Sequence, residues 1–208
     1  MGRILAVSDF EEAYIYQAAS QGVFSDVDFI ISCGDVSNEY LGYIISMINR
    51  DLFFVRGNHQ QRRPTGQKAA PNQHWGGKDL HLRTRLAAGD TLLAGIEGSL
   101  DYNNGPQQYT QQQMWGLVYR LVPRLYVNYV RHDRFLDVLV THAPPWGIND
   151  AEDLPHQGIK AFRWLIEAFK PRLHLHGHTR NYLGARNPAV LHEGTQVINV
   201  SGHQIIDF

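Results

Sequence analysis

Short, continuous apolar runs recur along the chain and alternate with segments of mixed polarity. The runs that predict strands lie at residues 4–7, 29–32, 52–55, 92–96, 136–140 and 173–175. Most of them have no alternating polar positions, which favours strands that are covered on both faces. Residues 189–208 hold further β-rich runs around glycine and predict a terminal meander.

Helical spacing of apolar residues appears between several of these runs. It is clearest over residues 158–170, where Pro171 ends the pattern, and weaker over 40–49 and 109–121. Residues 60–79 are rich in proline and glycine and predict a long irregular loop. The alternation of β and α elements predicts an α/β fold.

Length and composition narrow the classes of protein to consider. The 208 residues suit one domain over 1–208, and 43% hydrophobic residues can build a sizeable core. A net charge of −1 argues against a broad nucleic-acid binder, and the single Cys33 excludes disulfides within the chain. No run reaches the ~18–20 apolar residues of a membrane span. We therefore expect a cytoplasmic protein with no membrane partner.

Polar residues come shortly after the ends of five of the predicted strands. They are Asp9, Gly34-Asp35, Gly57-Asn58-His59, Thr141-His142 and Gly177-His178. Ligands of open α/β sheets bind at the carboxyl ends of strands, so these groups should converge on one site. Asp, Asn and His offer oxygen and nitrogen ligands for Mn²⁺, Fe or Zn²⁺. Two such cations ~3.5–4 Å apart can clamp a phosphoryl group and activate a water.

The ordered motifs resemble the calcineurin-like metallophosphoesterases, whose signature is D-x-H, G-D, G-N-H-[DE], T-H-x-P and G-H-x-H. The resemblance runs from residue 3 to about residue 206. It implies a four-layer α/β/β/α sandwich of two mixed β-sheets. It also implies metal-dependent hydrolysis of a small phosphomonoester or phosphodiester, with one or two divalent cations bound and Mn²⁺ favoured.

The resemblance assigns roles to individual residues. Asp35 is expected to bridge two metals, Asp9 to bind the first, and Asn58, His142 and His178 to complete the second. His59 is expected to contact phosphate or protonate the leaving group. Asn58 and His156 are further candidates for substrate binding, although His156 suits a surface loop equally well.

Three positions depart from the family pattern. Glu11 replaces the His of D-x-H, Arg180 replaces the last His of G-H-x-H, and Gln60 replaces the acid after G-N-H. Glu11 can still offer an oxygen to a metal. Arg180 stays protonated and cannot bind a metal, so we expect it to contact a phosphate oxygen or to replace part of the missing cation's charge.

The first metal should therefore bind weakly or not at all. That leaves a second interpretation open, in which the chain is a catalytically weakened scaffold or regulatory member that binds a metal or a nucleotide. A nuclease is a third interpretation, and the near-neutral charge counts against it.

Overall fold

The structure is a computed structural model that describes residues 2–59, 76–179 and 189–208. The strands in these ranges are β1 Arg3–Ser8, β2 Phe29–Ser32, β3 Leu52–Phe54, β4 Lys78–Asp79, β5 Arg83–Ala87, β6 Thr91–Ile96, β7 Ser99–Leu100, β8 Gln108–Tyr109, β9 Val138–Thr141, β10 Leu173–His176, β11 Val190–His192, β12 Thr195–Asn199 and β13 Gly202–Asp207. The helices are α1 Ala13–Ser20, α2 Asn38–Ile48, α3 Gln111–His132 and α4 Lys160–Phe169, with short 3₁₀ turns at Ala88–Asp90 and Leu154–His156.

Two large mixed sheets carry most of the strands. The first has the order β13-β1-β2-β3-β4, with β13 antiparallel to β1 and the other pairs parallel. The second has the order β11-β12-β10-β9-β6-β5, with antiparallel pairs only at its two edges. The pairs β1–β2, β2–β3 and β9–β10 are parallel, so the carboxyl ends of these strands lie side by side within each sheet. The candidate site residues follow these strands and therefore lie at those ends.

Alternating side chains of the strands build the layers. Ile4 and Ala6 of β1 pack into a core between the two sheets, whereas Leu5 and Val7 pack outward against α1 and α2. A third apolar core lies between the second sheet and the helices α3 and α4. This order of layers confirms the expected α/β/β/α sandwich. None of the described helices combines the length and apolarity needed to cross a bilayer.

The predicted terminal meander is wrong. β11 and β12 form an antiparallel pair in the second sheet, but β13 leaves that sheet and pairs with β1 in the first. Local patterns cannot foresee this, because the partner of β13 lies at the other end of the sequence. Helix α1 was also not predicted, and residues 60–75 of the predicted long loop lie outside the described residues.

Helix α3 is longer than the sequence pattern over 109–121 indicates. It begins with a capping box between Thr110 and Gln113 and continues through Pro123. Pro123 is exposed, while Leu125 and Asn128 beyond it are buried, and the Asn128 side chain donates to the Phe135 carbonyl oxygen (2.9 Å). Tertiary packing after Pro123 therefore outweighs the hydrogen bond that proline removes.

We expect Pro123→Ala to raise the free energy of unfolding by about 2 kcal/mol, because alanine restores the helical N–H at an exposed position. Urea denaturation measures this change. Arg124→Ala, at the exposed neighbouring position, is the control and should stay within about 0.5 kcal/mol of the parent. A Pro123→Ala variant that is less stable would mean that the proline supports the fold.

Candidate metal centre

Residues that follow strands of both sheets meet at one buried place. Asp35 follows β2, Asn58 follows β3, His142 follows β9 and His178 follows β10. Asp35, His142 and His178 each offer a ligand atom, and these atoms lie within 4.8 Å of one another. The predicted convergence of Asp35, Asn58, His142 and His178 is therefore present in the structure.

His142 lies at the centre of this group and is fully buried. Its Nδ1–H donates to the Cys33 carbonyl oxygen (2.8 Å), which leaves Nε2 facing the cluster. Nε2 is 3.0 Å from Asn58 Oδ1 and 3.2 Å from Asp35 Oδ2. A backbone carbonyl can only accept, so this contact fixes the ring in the form that offers Nε2 to a metal.

His178 is held in the same manner but through its other nitrogen. Its Nε2–H donates to the Pro155 carbonyl oxygen (2.6 Å), and Nδ1 lies 3.1 Å from His142 Nε2. Two imidazole nitrogens, a carboxylate oxygen and an amide oxygen thus point their electron pairs at the same small volume. Such a donor set suits a divalent transition metal.

The electrostatics of the cluster call for a positive charge. Burial opposes ionisation of Asp35, but the charge and hydrogen bond of His142 outweigh it and lower the pKa of Asp35 to about 2. Burial also disfavours a charged His142, yet Asp35 raises the pKa of His142 to about 9. Burial and the neighbouring His142 lower the pKa of His178 to about 3. Without a metal, the proton of His142 supplies the cation that these groups attract.

Asp9 lies at the edge of the cluster, where its two oxygens have different surroundings. Oδ1 accepts the His178 backbone N–H (2.8 Å), whereas Oδ2 is buried and has no hydrogen-bond partner in the described part of the chain. Burial raises the pKa of Asp9, and the charge of His142 only partly opposes this rise. A buried carboxylate oxygen without a partner is costly, and a cation beside it would remove that cost. The residues present therefore fit a bound metal.

Three residues of the site have backbone conformations that are unfavourable for residues other than glycine. Asp9, Asp35 and His178 all have left-handed φ values, of 70°, 58° and 70°. A Cβ on Gly57 would lie 1.9 Å from Asp35 Oδ1, so only glycine allows this close approach. Strain of this kind at several neighbouring residues is typical of functional sites.

His59 stands beside the cluster and is exposed. Its backbone N–H donates to Asp35 Oδ1 (2.8 Å), and its Nε2 lies 3.2 Å from the hydroxyl of Tyr102. The same hydroxyl accepts a hydrogen from Asn58 Nδ2 (3.1 Å). Tyr102 thus connects Asn58 with His59, a role that sequence reasoning missed.

A polar cavity of about 330 Å³ opens at this point. It is lined by Asn58, His59, Tyr102, Asn103, Asn104, Gly105, Pro106 and Gln108. A larger cavity of about 400 Å³, beside Arg172 and Phe208, lies at the opposite, amino ends of β10 and β12. Of these two cavities, only the smaller one adjoins the metal-binding group, through Asn58 and His59.

Glu11 is the predicted ligand that the structure does not bring to the cluster. Its side chain is exposed, and Oε1 accepts the backbone N–H of Ser37 (3.0 Å), directly before α2. Its other oxygen accepts from the Tyr16 hydroxyl (3.5 Å). The expectation that Glu11 joins a metal site therefore needs correcting, because its carboxylate serves the start of a helix instead.

The remaining predicted residues lie at the rim or beyond the described ranges. His156 donates through Nδ1 to Asp153 Oδ2 (2.5 Å), and its ring centroid is 5.2 Å from that of His178. His156 is therefore close enough to contact a substrate but is not part of the cluster. Arg180 and Gln60 lie outside the described residues.

Comparisons with known proteins agree with this geometry. Residues 2–182 match the family model of the calcineurin-like phosphoesterases. The crystal structure of TT1561 of Thermus thermophilus has a TM-score of 0.62 and 15% identity, covering 97% of this chain and 89% of that chain. GAP50, the anchor in the inner membrane complex of Plasmodium, has a TM-score of 0.54 and 15% identity, covering 96% and 71%. A search of curated proteins finds no match.

The structural likenesses, at these identities, show the fold alone, whereas the family match rests on the sequence. It spans most of the chain and includes every residue of the metal-binding group. Members of this family generally hydrolyse phosphoester bonds and typically depend on two metals. The chain belongs to the calcineurin-like phosphoesterase family.

Proposed function

We propose that this chain hydrolyses a small phosphoester at the site formed by Asp35, Asn58, His142 and His178. The observation that carries the proposal is the convergence of four electron-pair donors on one point, with both histidine rings fixed by backbone carbonyls. A divalent cation held there, with Mn²⁺ as our first choice, would activate water and balance charge on a phosphoryl oxygen.

The remaining groups of the site suit the departure of the leaving group. His59 lies beside the cluster and can donate a proton to the departing oxygen, while Tyr102 holds its ring in place. The adjoining cavity, at about 330 Å³ and with a polar lining, supports a small, polar leaving group. These features favour a phosphodiester or phosphomonoester of low molecular weight over a long polymer. We also propose that His156 and Arg180 contact the phosphate of the substrate.

The alternative is a member of the family that binds metal without efficient turnover. One observation favours it, namely that Glu11 faces Ser37 and leaves the first metal position short of a ligand. A hydrolysis assay of the metal-loaded protein distinguishes the two functions. A fully metal-loaded preparation that does not hydrolyse any chromogenic phosphoester supports the alternative.

We expect His59→Ala to lower the turnover of a chromogenic phosphodiester by ~10²–10⁴-fold, the usual contribution of a general acid. Tyr102→Phe should lower it by about 10-fold, because it removes the hydroxyl that orients both His59 and Asn58 but leaves those two side chains in place. Metal-induced thermal stabilisation should be unchanged in His59→Ala, because the His59 side chain does not face the cluster centre. A His59→Ala variant that loses its metal or keeps full activity would contradict this assignment.

A matched pair of acid-to-amide changes tests the metal centre. We expect Mn²⁺ at about 100 times its Kd to stabilise the parent protein by about 2.7 kcal/mol. Asp35→Asn should abolish this stabilisation, because it removes the charge that faces His142. Glu11→Gln should leave it intact, because Glu11 faces Ser37 and Tyr16.

Thermal melts and metal analysis of the three proteins give the answer. Zn²⁺ and Fe²⁺ in parallel melts identify the preferred cation. If Glu11→Gln lowers the number of bound metals, Glu11 reaches the centre and our placement of its carboxylate is wrong. If Asp35→Asn binds metal as the parent does, the cluster is not the metal site.

A further inference from the structure

Helix α3 has an outward face that the fold itself does not explain. Gly116, Pro123 and Val130 are spaced seven residues apart and so lie along one line of the helix. A Cβ on Gly116 would meet no atom within 4 Å, Pro123 is exposed, and Val130 is 84% exposed. Glycine and proline are the weakest helix formers, and an exposed valine gains nothing from packing. Within the described ranges, none of the three belongs to an apolar core.

An aromatic flank runs along one side of this line. Tyr119, Tyr126 and Tyr129 are each about half exposed. Their rings are held by neighbours, since Tyr119 stacks on Trp115 (5.7 Å between centroids) and Tyr129 stacks on Phe135 (4.7 Å). Rings that are already ordered lose little conformational entropy when they bind a partner.

A basic flank runs along the other side. Arg120, Arg124 and Arg131 are exposed, and none of them forms an ion pair with a residue that the structure describes. Residues 111–132 contain no Asp or Glu. By contrast, Arg134, just after the helix, is neutralised by Asp90 and Asp137. The three arginines of α3 therefore present uncompensated positive charge to the outside.

We propose that this face of α3 lies on an anionic phospholipid surface. The expectation of no membrane partner rested on the absence of a spanning segment, and a helix that lies on the surface needs no such segment. Tyrosine and tryptophan rings favour the boundary between headgroups and acyl chains, and arginines are attracted to anionic headgroups. The helix is about 33 Å long and can lie in the plane of the surface without any segment crossing the bilayer.

Two other occupants fit these observations less well. A second copy of this chain would bring the same face, which has no carboxylate to pair with the arginines. A single-stranded nucleic acid needs a positively charged groove, whereas the crest of a helix is convex. Both occupants are outcomes of the experiment below.

The full-length chain is mixed with phosphatidylcholine vesicles, with and without phosphatidylglycerol, and bound protein is separated by flotation. We expect binding only to the anionic vesicles and a marked loss at high salt. Arg124→Gln should weaken the apparent affinity about fivefold, the share of one arginine near such a surface. Arg172→Gln, which removes an equal charge elsewhere, should leave it unchanged.

A second matched pair tests the aromatic flank. Tyr126→Ser should weaken vesicle binding, whereas Tyr14→Ser on α1, at a similarly exposed tyrosine, should not. All four substituted side chains are exposed, so thermal melts should show folded proteins.

Several results would overturn the proposal. One is no binding to anionic vesicles, and another is binding that Arg124→Gln and Tyr126→Ser leave intact. A dimer in light scattering that Val130→Ser dissociates would assign the face to a second copy. Binding of single-stranded DNA without binding of vesicles would assign it to nucleic acid.

Discussion

The need for a positive charge among four electron-pair donors is the constraint on which the rest of this structure depends. Asp35, Asn58, His142 and His178 come from four different strands of two sheets, and none of their facing atoms can satisfy another without a proton or a metal. The two sheets have to align their carboxyl ends for these atoms to meet. The carbonyl oxygens of Cys33 and Pro155 then fix which nitrogen each ring offers.

The centre could be predicted from the sequence because its candidate ligands come shortly after strands, and the carboxyl ends of parallel strands lie together at one edge of a sheet. Glu11 could not be placed that way, since its partner Ser37 is 26 residues further along and is met only in the folded chain. Tyr102 escaped notice for a similar reason, because its contacts with Asn58 and His59 span more than forty residues. The length of α3 was missed because packing beyond Pro123 overrides a local helix-breaking signal.

The candidate metal centre depends on backbone conformation and on neighbouring glycines as well as on its ligands. Three of the candidate residues hold left-handed backbone conformations, and Gly57 and Gly177 leave room for oxygens that any larger residue would displace. Such a backbone is costly to keep, and a cation bound by these residues would offset part of that cost. A change at a glycine can therefore damage the centre as much as the loss of a ligand.

The pairing of β1 with β13 has a consequence for how the protein is made. Arg3 lies opposite Asp207, so one neighbour of the buried strand β1 is translated about 200 residues after it. At about 5–20 residues per second, the ribosome needs on the order of 10–40 s to supply that partner. During this time one edge of an apolar strand is open to pairing with other nascent chains. Production of this protein should therefore depend on translation speed and on chaperones that shield the nascent chain.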